Sequence, residues 1–153
     1  MAHYAFINSD NIVVEVITGK NEDEALPNGF DSWEAYYETK RDGLTCKRTS
    51  YNTMDNVYYD NSTGEQHEDQ SKKFRGNYAG KGSIYKADLD IFTQPKPFNS
   101  WVYDDSLGNL GNWKPPIDLP NVEDNETYQW NEETVGWDIY VWNTETEIWD
   151  LKE

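Results

Sequence analysis

Short apolar runs alternate with long polar stretches along this chain, and the apolar runs have the length and β-branched character of strands. Ala5-Phe6-Ile7 is followed by turn chemistry at Ser9-Asp10-Asn11 and then by Ile12-Val13-Val14-Glu15-Val16-Ile17, which together predict an N-terminal hairpin. Trp33, Tyr36 and Tyr37 recur at i, i+3, i+4 and so share one helical face. With Asp31 or Ser32 as N-cap and Gly43 at C′, the spacing predicts one helix reaching about Lys40. Leu44 to Tyr51 reads as a strand.

Residues 52–73 are polar and rich in Asn and Asp. They predict an exposed loop holding a small hairpin, in which Val57-Tyr58-Tyr59 turns at Asp60-Asn61-Ser62-Thr63-Gly64. Loops of that length are usually functional or mobile. Ser83-Ile84-Tyr85 and Asp90-Ile91-Phe92 flank a further polar turn. Gln94-Pro95-Lys96-Pro97 reads as a stiff spacer, and Lys114-Pro115-Pro116-Ile117-Asp118-Leu119-Pro120 is a second break.

Beyond that break lies an internal repeat. Trp130-Asn131-Glu132-Glu133-Thr134-Val135-Gly136-Trp137 aligns with Trp142-Asn143-Thr144-Glu145-Thr146-Glu147-Ile148-Trp149, giving W-N-x-E-T-x-x-W twice. Trp101 to Trp113 is a looser version with a longer Asp/Gly/Asn tip. Each copy predicts a short hairpin whose polar tip reverses the chain and whose two tryptophans pair across the strands. Isolated hairpins are marginal in water, so these must pack on something. The expected fold class is mainly β: a small antiparallel domain with one helix over residues 1–93, then Trp-flanked hairpins on Pro-rich connectors over 94–153.

Composition sharpens this picture. Leu, Ile, Val and Phe number 7, 8, 8 and 5 in 153 residues, a poverty that with high net charge usually signals disorder. The 7 Trp and 11 Tyr reverse that expectation, since each aromatic buries about 150–250 Å²; an aromatic core replaces the aliphatic one. The formal charge is −16, with 11 acidic residues against 1 basic over 117–153 and 8 acidic against 10 basic over 40–96. Such acidity repels nucleic acid. No apolar stretch approaches the roughly 18 residues of a membrane helix, and MAHYAFINSDN lacks the basic and apolar regions of a secretory signal. Cys46 is the single cysteine, too few for an internal disulfide or a multi-cysteine zinc site.

Candidate chemistry is sparse. Glu132-Glu133, Asp104-Asp105 and Glu22-Asp23-Glu24 read as solvated turns, because a catalytic acid–base pair needs burial to separate its pKa values. His3 and His67 lie in no ligand-spaced cluster; Asp104-Asp105-Ser106 or Asp88-Leu89-Asp90 would be the places for Ca²⁺. Lys47-Arg48 beside Cys46 are expected to lower its pKa, yet no partner histidine is indicated and a structural thiol is the favoured reading. No P-loop or G-x-G-x-x-G occurs. The cluster Lys72-Lys73-Phe74-Arg75 either offsets the acidic ends within the molecule or docks an acidic neighbour, including the tail of an identical subunit. The tryptophans are open to three readings: a mini-core of their own hairpins, interface anchors, or platforms for sugar stacking. The interface candidates are Trp101, Trp113, Trp130, Trp137, Trp142 and Trp149, with Lys72, Lys73 and Arg75.

Four stretches carry a resemblance: MAHYAFINSDNIVVEVI, TSYNTMDNVYYDNSTGE, FRGNYAGKGSIYKADLDIFTQPKPFNSW and the W-N-x-E-T-x-x-W tail. They resemble small proteins of tailed bacteriophages of marine bacteria, including cyanophages, with a T-S-Y-N block, F-R-x-N-Y-A-G-x-G-x-x-Y-D and a Pro-rich K-P-F/Y-x-S-W segment. Lys81, Ser83, Lys86 and Thr93-Gln94 depart from that pattern, and the duplicated Trp tail is longer. The resemblance implies a phage virion component and carries no catalytic residue across. The expectation is therefore a non-enzymatic structural or accessory protein of the tail, baseplate or capsid surface. It is made in the host cytoplasm and located in the virion, as a homo-oligomer or in many copies, with other phage structural proteins as partners. No cofactor, metal, membrane or nucleic acid is expected. Two alternatives stand beside it. One is an acidic protein that mimics DNA or binds a host enzyme, which wants carboxylates spaced like phosphates along one face, whereas here they cluster at turns and in the tail. The other is a carbohydrate-binding module that takes a host-surface glycan through Trp101, Trp113 or Trp137.

Overall fold

The computed structural model describes residues 1–104 and 112–153 and is mainly β with one short helix. The chain forms two compact units, one of residues 1–96 and 103–113, the other of residues 97–102 and 114–153. Among the described residues no helix is long and apolar enough to cross a membrane.

In the first unit, β1 (Ala2–Ile7) and β2 (Val13–Gly19) form the expected hairpin. The Asn8 Oδ1 closes its turn by accepting from the backbone N–H of Asp10 and Ile12, each at 3.0 Å. Between Phe6 and Ile7 the register shifts, so that Phe6 faces Glu15 and Ile7 faces Val13, leaving Val14 as the extra residue of a bulge. β1 also pairs antiparallel with β3 (Thr45–Thr49), giving the order β2-β1-β3. As the central strand it is covered on both faces, which is why its apolar run is nearly continuous rather than alternating. Tyr4 and Phe6 pack with Trp33 and Cys46 on one side; Ala5 and Ile7 pack with Val13, Ala79 and Phe92 on the other.

Helix α1 (Trp33–Glu38) is capped by Ser32, whose Oγ accepts from Ala35 N at 3.1 Å. It stops short of Lys40, and Gly43 is not its C′ residue. The Thr39 hydroxyl donates to the Tyr36 carbonyl at 2.7 Å, and Lys40 N turns instead to Tyr37 O at 2.9 Å; a side chain thus competes for the carbonyl that a further turn would need. Trp33 stacks on Tyr37 at 5.6 Å, and the Tyr37 and Tyr4 rings meet at 4.8 Å with their planes tilted by 48°. Gly19 lies directly under the Tyr37 ring: a Cβ there would come within 2.8 Å of it.

The helix also closes the outer edge of β3. Glu34 Oε1 accepts from Arg48 N at 2.5 Å and Glu38 Oε2 from Cys46 N at 2.8 Å. Four helical residues rise about 6 Å and two strand residues about 6.7 Å, so carboxylates at i and i+4 match alternate edge amides. An open strand edge is a pairing hazard, and here two glutamates cover it.

The 52–73 segment is more tied down than its composition suggests. β4 (Thr53–Met54) pairs with β5 (Val57–Tyr58), Tyr59 bridges to Gln66, and the expected turn at Asp60 forms, with Ser62 N donating to Asp60 Oδ1 at 2.7 Å. The Gln70 amide accepts from Tyr58 N and donates to Tyr58 O, each at 2.9 Å, as a neighbouring strand would. β6 (Ile84–Lys86) and β7 (Ile91–Thr93) form the next expected hairpin. β8 (Val102–Asp104) pairs with β9 (Asn112–Lys114); the tip between them, with Asp105 and Ser106 of one candidate Ca²⁺ site, lies outside the described residues. The second unit is a three-stranded meander of β10 (Glu126–Asn131), β11 (Gly136–Asn143) and β12 (Ile148–Leu151), with β11 central.

Candidate functional site

The two repeat copies build identical hairpins that share β11 as their common strand. In each, the asparagine after the first tryptophan organises the reversal. Asn131 Oδ1 accepts from the N–H of Glu133 and Thr134 at 3.0 and 3.3 Å, and Asn143 Oδ1 from Glu145 and Thr146 at 3.0 and 3.2 Å. Each asparagine then donates through Nδ2 across the hairpin, to Asp138 at 2.9 Å and to Asp150 at 2.8 Å. The repeat therefore extends one residue further than sequence reasoning took it, to W-N-x-E-T-x-x-W-D. The signal was in plain view: an aspartate follows the second tryptophan in both copies.

The tryptophans of the two repeat copies pair as expected. Trp130 faces Trp137, with ring centroids 5.1 Å apart and planes at 77°, and Trp142 faces Trp149 at 5.3 Å and 63°. Trp142 N donates to Asn125 O and Lys152 N to Ile139 O. By alternation, both Trp pairs then occupy non-hydrogen-bonded positions, where side chains approach most closely. Trp137 and Trp142 are five residues apart on one strand, an odd separation, so the two pairs project from opposite faces of the sheet.

The faces differ in kind. On one, Trp130 is buried, meets Trp101 edge-on at 6.1 Å, and donates from Nε1 to Glu132 at 2.8 Å. Glu132 also accepts from the N–H and hydroxyl of Ser100, so it is a structural acceptor and not the solvated turn residue its sequence suggested. Trp137 donates to Ile117 O at 3.3 Å and packs on Tyr128. The Trp101 indole N–H is sealed from solvent without an acceptor. On the other face Trp142 and Trp149 pack on each other and remain 36% and 46% exposed. Trp149, Tyr140, Thr127 and Gln129 line a shallow hollow of about 370 Å³ there. All four residues of the edge strand β12 are exposed, and the alternation that fixes the Trp pairs leaves the backbone groups of Trp149 and Leu151 pointing outward.

The remaining candidates separate. Trp113 belongs to the first unit and does not pair with Trp101; it meets Tyr103 edge-on at 5.9 Å, donates to Gln94 O at 2.8 Å and carries Lys96 over its ring. Lys72 and Lys73 are exposed. Arg75 turns inward and bridges Glu34 at 2.6 Å and Asp90 at 2.8 Å. Asp90 is thereby engaged, and among the described residues no group of three or more His, Cys, Asp or Glu converges as a metal cage would. Cys46 is fully buried, and burial pushes its thiol up to about 12, with Glu34 and Glu38 adding to the rise. The expectation that Lys47 and Arg48 would lower it is overturned: desolvation outweighs the basic neighbours.

No family model, curated protein or solved structure matches this chain.

Proposed function

We propose that this protein is a non-enzymatic structural or accessory component of a tailed-phage particle, seated on the tail, baseplate or capsid surface and attached through its C-terminal sheet. Two things support the reading. One is the resemblance carried by the N-terminal, T-S-Y-N and F-R-G-N-Y-A-G stretches. The other, which carries it, is the apolar edge of β12: Ile148, Trp149 and Leu151 are 55%, 46% and 56% exposed on four consecutive residues beside open backbone groups. Aromatic anchors of this kind dominate protein–protein contacts, and an open strand edge accepts a partner strand by backbone pairing. The partner is another particle subunit or a further copy of this chain.

Mass spectrometry of purified particles tests the assignment. The protein is expected as a multi-copy component, and its absence from purified particles overturns the reading. In particles that contain it, a Trp142→Ala/Trp149→Ala double variant is expected to lower occupancy at least about tenfold, equivalent to about 1.4 kcal/mol of attachment energy.

A further inference from the structure

Two of the cavities in the first unit share Glu22 and Arg48 as a common wall. The larger, about 440 Å³, is lined in part by Leu26, Trp33 and Phe74, and its four carboxylates outnumber its three cations. The smaller, about 300 Å³, is polar, and its charged side chains are Arg48 and Lys72 against Glu22 alone. His3 on its wall has its pKa lowered, by burial first and by Arg48 second, and adds no charge at neutral pH. Met1, with its α-ammonium, also lines it, so the cavity is net positive within a chain of formal charge −16.

Two groups in its wall have hydrogen-bonding capacity to spare. Ser50 is 7% exposed, yet its hydroxyl bonds to no described protein group. Arg48 is fixed by Glu22 at Nε and by the carbonyls of His3 and Thr49 at Nη1, with the Phe74 ring 4.2 Å from its guanidinium. Its Nη2 makes no such bond. A guanidinium held this way presents its remaining donors pre-oriented. At the mouth, Tyr51 is 66% exposed and is backed by Tyr78 at 5.3 Å, and Asn52 adds an amide to the lining.

We propose that this cavity binds a small saccharide bearing a single carboxylate. The net positive lining calls for an anionic group on the ligand, and the neutral hydroxyl, amide and ring groups beside it call for a sugar body. The volume lies at the small end of ligand sites. Hydroxyl and amide groups both donate and accept, as vicinal sugar hydroxyls require, and the Tyr51 ring offers an apolar platform to the C–H face of a sugar. The carboxylate meets Arg48 and Lys72; the ring hydroxyls meet Ser50 and Asn52. The site lies in the first unit, shares no residue with the open tryptophan face, and is independent of the particle assignment.

Amide chemical shifts of the full ¹⁵N-labelled chain, titrated with glucuronate, glucose, acetate and inorganic phosphate in low salt, test it. Glucuronate is expected to give saturable shifts at Ser50, Asn52 and Lys72 with a Kd of about 1 mM or tighter. Glucose, acetate and phosphate are each expected to bind at least about tenfold more weakly. Lys72→Ala, an exposed change that leaves the fold intact, is expected to weaken glucuronate severalfold, and Lys72→Arg to restore it. Absence of saturation overturns the proposal, as does an unchanged affinity in Lys72→Ala. Acetate or phosphate binding as tightly as glucuronate reduces the site to an adventitious ion only, and glucose binding equally well removes the role of the charge; either result overturns it too.

Discussion

Val135 and Glu147 occupy the same position in the two repeat hairpins and both lie in the left-handed region, at φ 51° and 55°. For a β-branched residue this is costly, and Val135 is 40% exposed, so little burial offsets it. Val135→Gly is expected to stabilise the protein by up to about 1 kcal/mol, the relief of strain exceeding the added freedom of the unfolded chain; a urea midpoint that falls contradicts this. Arg75 carries two carboxylates from a position 15% exposed at its side chain. Arg75→Met removes the cation paired with Glu34, leaving it the Arg48 N–H, and is expected to cost about 2–3 kcal/mol. The Arg41–Glu15 pair, with both side chains about two-fifths exposed, is screened by solvent and is expected to contribute little, so Arg41→Met serves as the comparison. Cys46, with its thiol near 12 and 1% exposed, is expected to resist thiol reagents at pH 8 until denaturant is added. The structural role of Cys46 was legible in the sequence, but the environment of Arg75 was not. Arg75 sits in a basic run that reads as offsetting the acidic ends or docking an acidic neighbour, and its partner Glu34 is 41 positions away.

At the scale of elements, local patterns were the reliable guide. The first hairpin, the Ser32 cap, the Asp60 turn and the tryptophan pairing of the two repeat copies all rest on contacts within about seventeen residues, and each was readable from residue type and spacing. What spacing did not show is that the two Trp hairpins share a strand, which sends their pairs to opposite faces. That geometry makes the copies unequal. Trp130 is 7% exposed and Trp149 is 46% exposed. Trp130→Ala is therefore expected to cost about 3–5 kcal/mol. Trp149→Ala should cost only about 1 kcal/mol, chiefly the edge-to-face contact with Trp142. Denaturation midpoints and the exciton-coupled circular dichroism of each pair distinguish the two; equal losses contradict the assignment of faces. The helix-to-edge contact was equally hidden: Glu34 and Glu38 look like ordinary solvent-facing acids of an amphipathic helix, and only the placement of β3 beside them shows what they cap.

For the whole molecule, titration brackets the stable range. Glu15, Glu24, Asp60, Asp69, Asp90 and Glu126 have folded pKa values below their ordinary ones. Such groups stabilise above the unfolded pKa, and that contribution fades as pH falls through the folded value. His3, also lowered, adds a loss that begins as pH drops below its ordinary 6.5. Burial, and a hydrogen bond to Asp90, push Tyr85 up to about 12, and burial raises Cys46 similarly. Their contribution is complete below the unfolded values near 10 and 9, and is lost toward 12. Urea midpoints are thus expected to be flat between about pH 6.5 and 9 and to fall on both sides; a midpoint still rising at pH 11 contradicts this. Moderate salt is expected to raise the midpoint at neutral pH, because 29 acidic residues against 13 basic ones repel one another. The mainly β class, the antiparallel hairpins, the aromatic character of the core and the repeat followed from the sequence alone, because periodicity, turn chemistry and composition act between near neighbours. The inward turn of Arg75, the burial that governs Cys46, the positive lining around Ser50 and the choice of which tryptophan pair stays open were decided only by tertiary structure. Each depends on desolvation and on partners from distant segments, and neither has a signature in the order of residues along the chain.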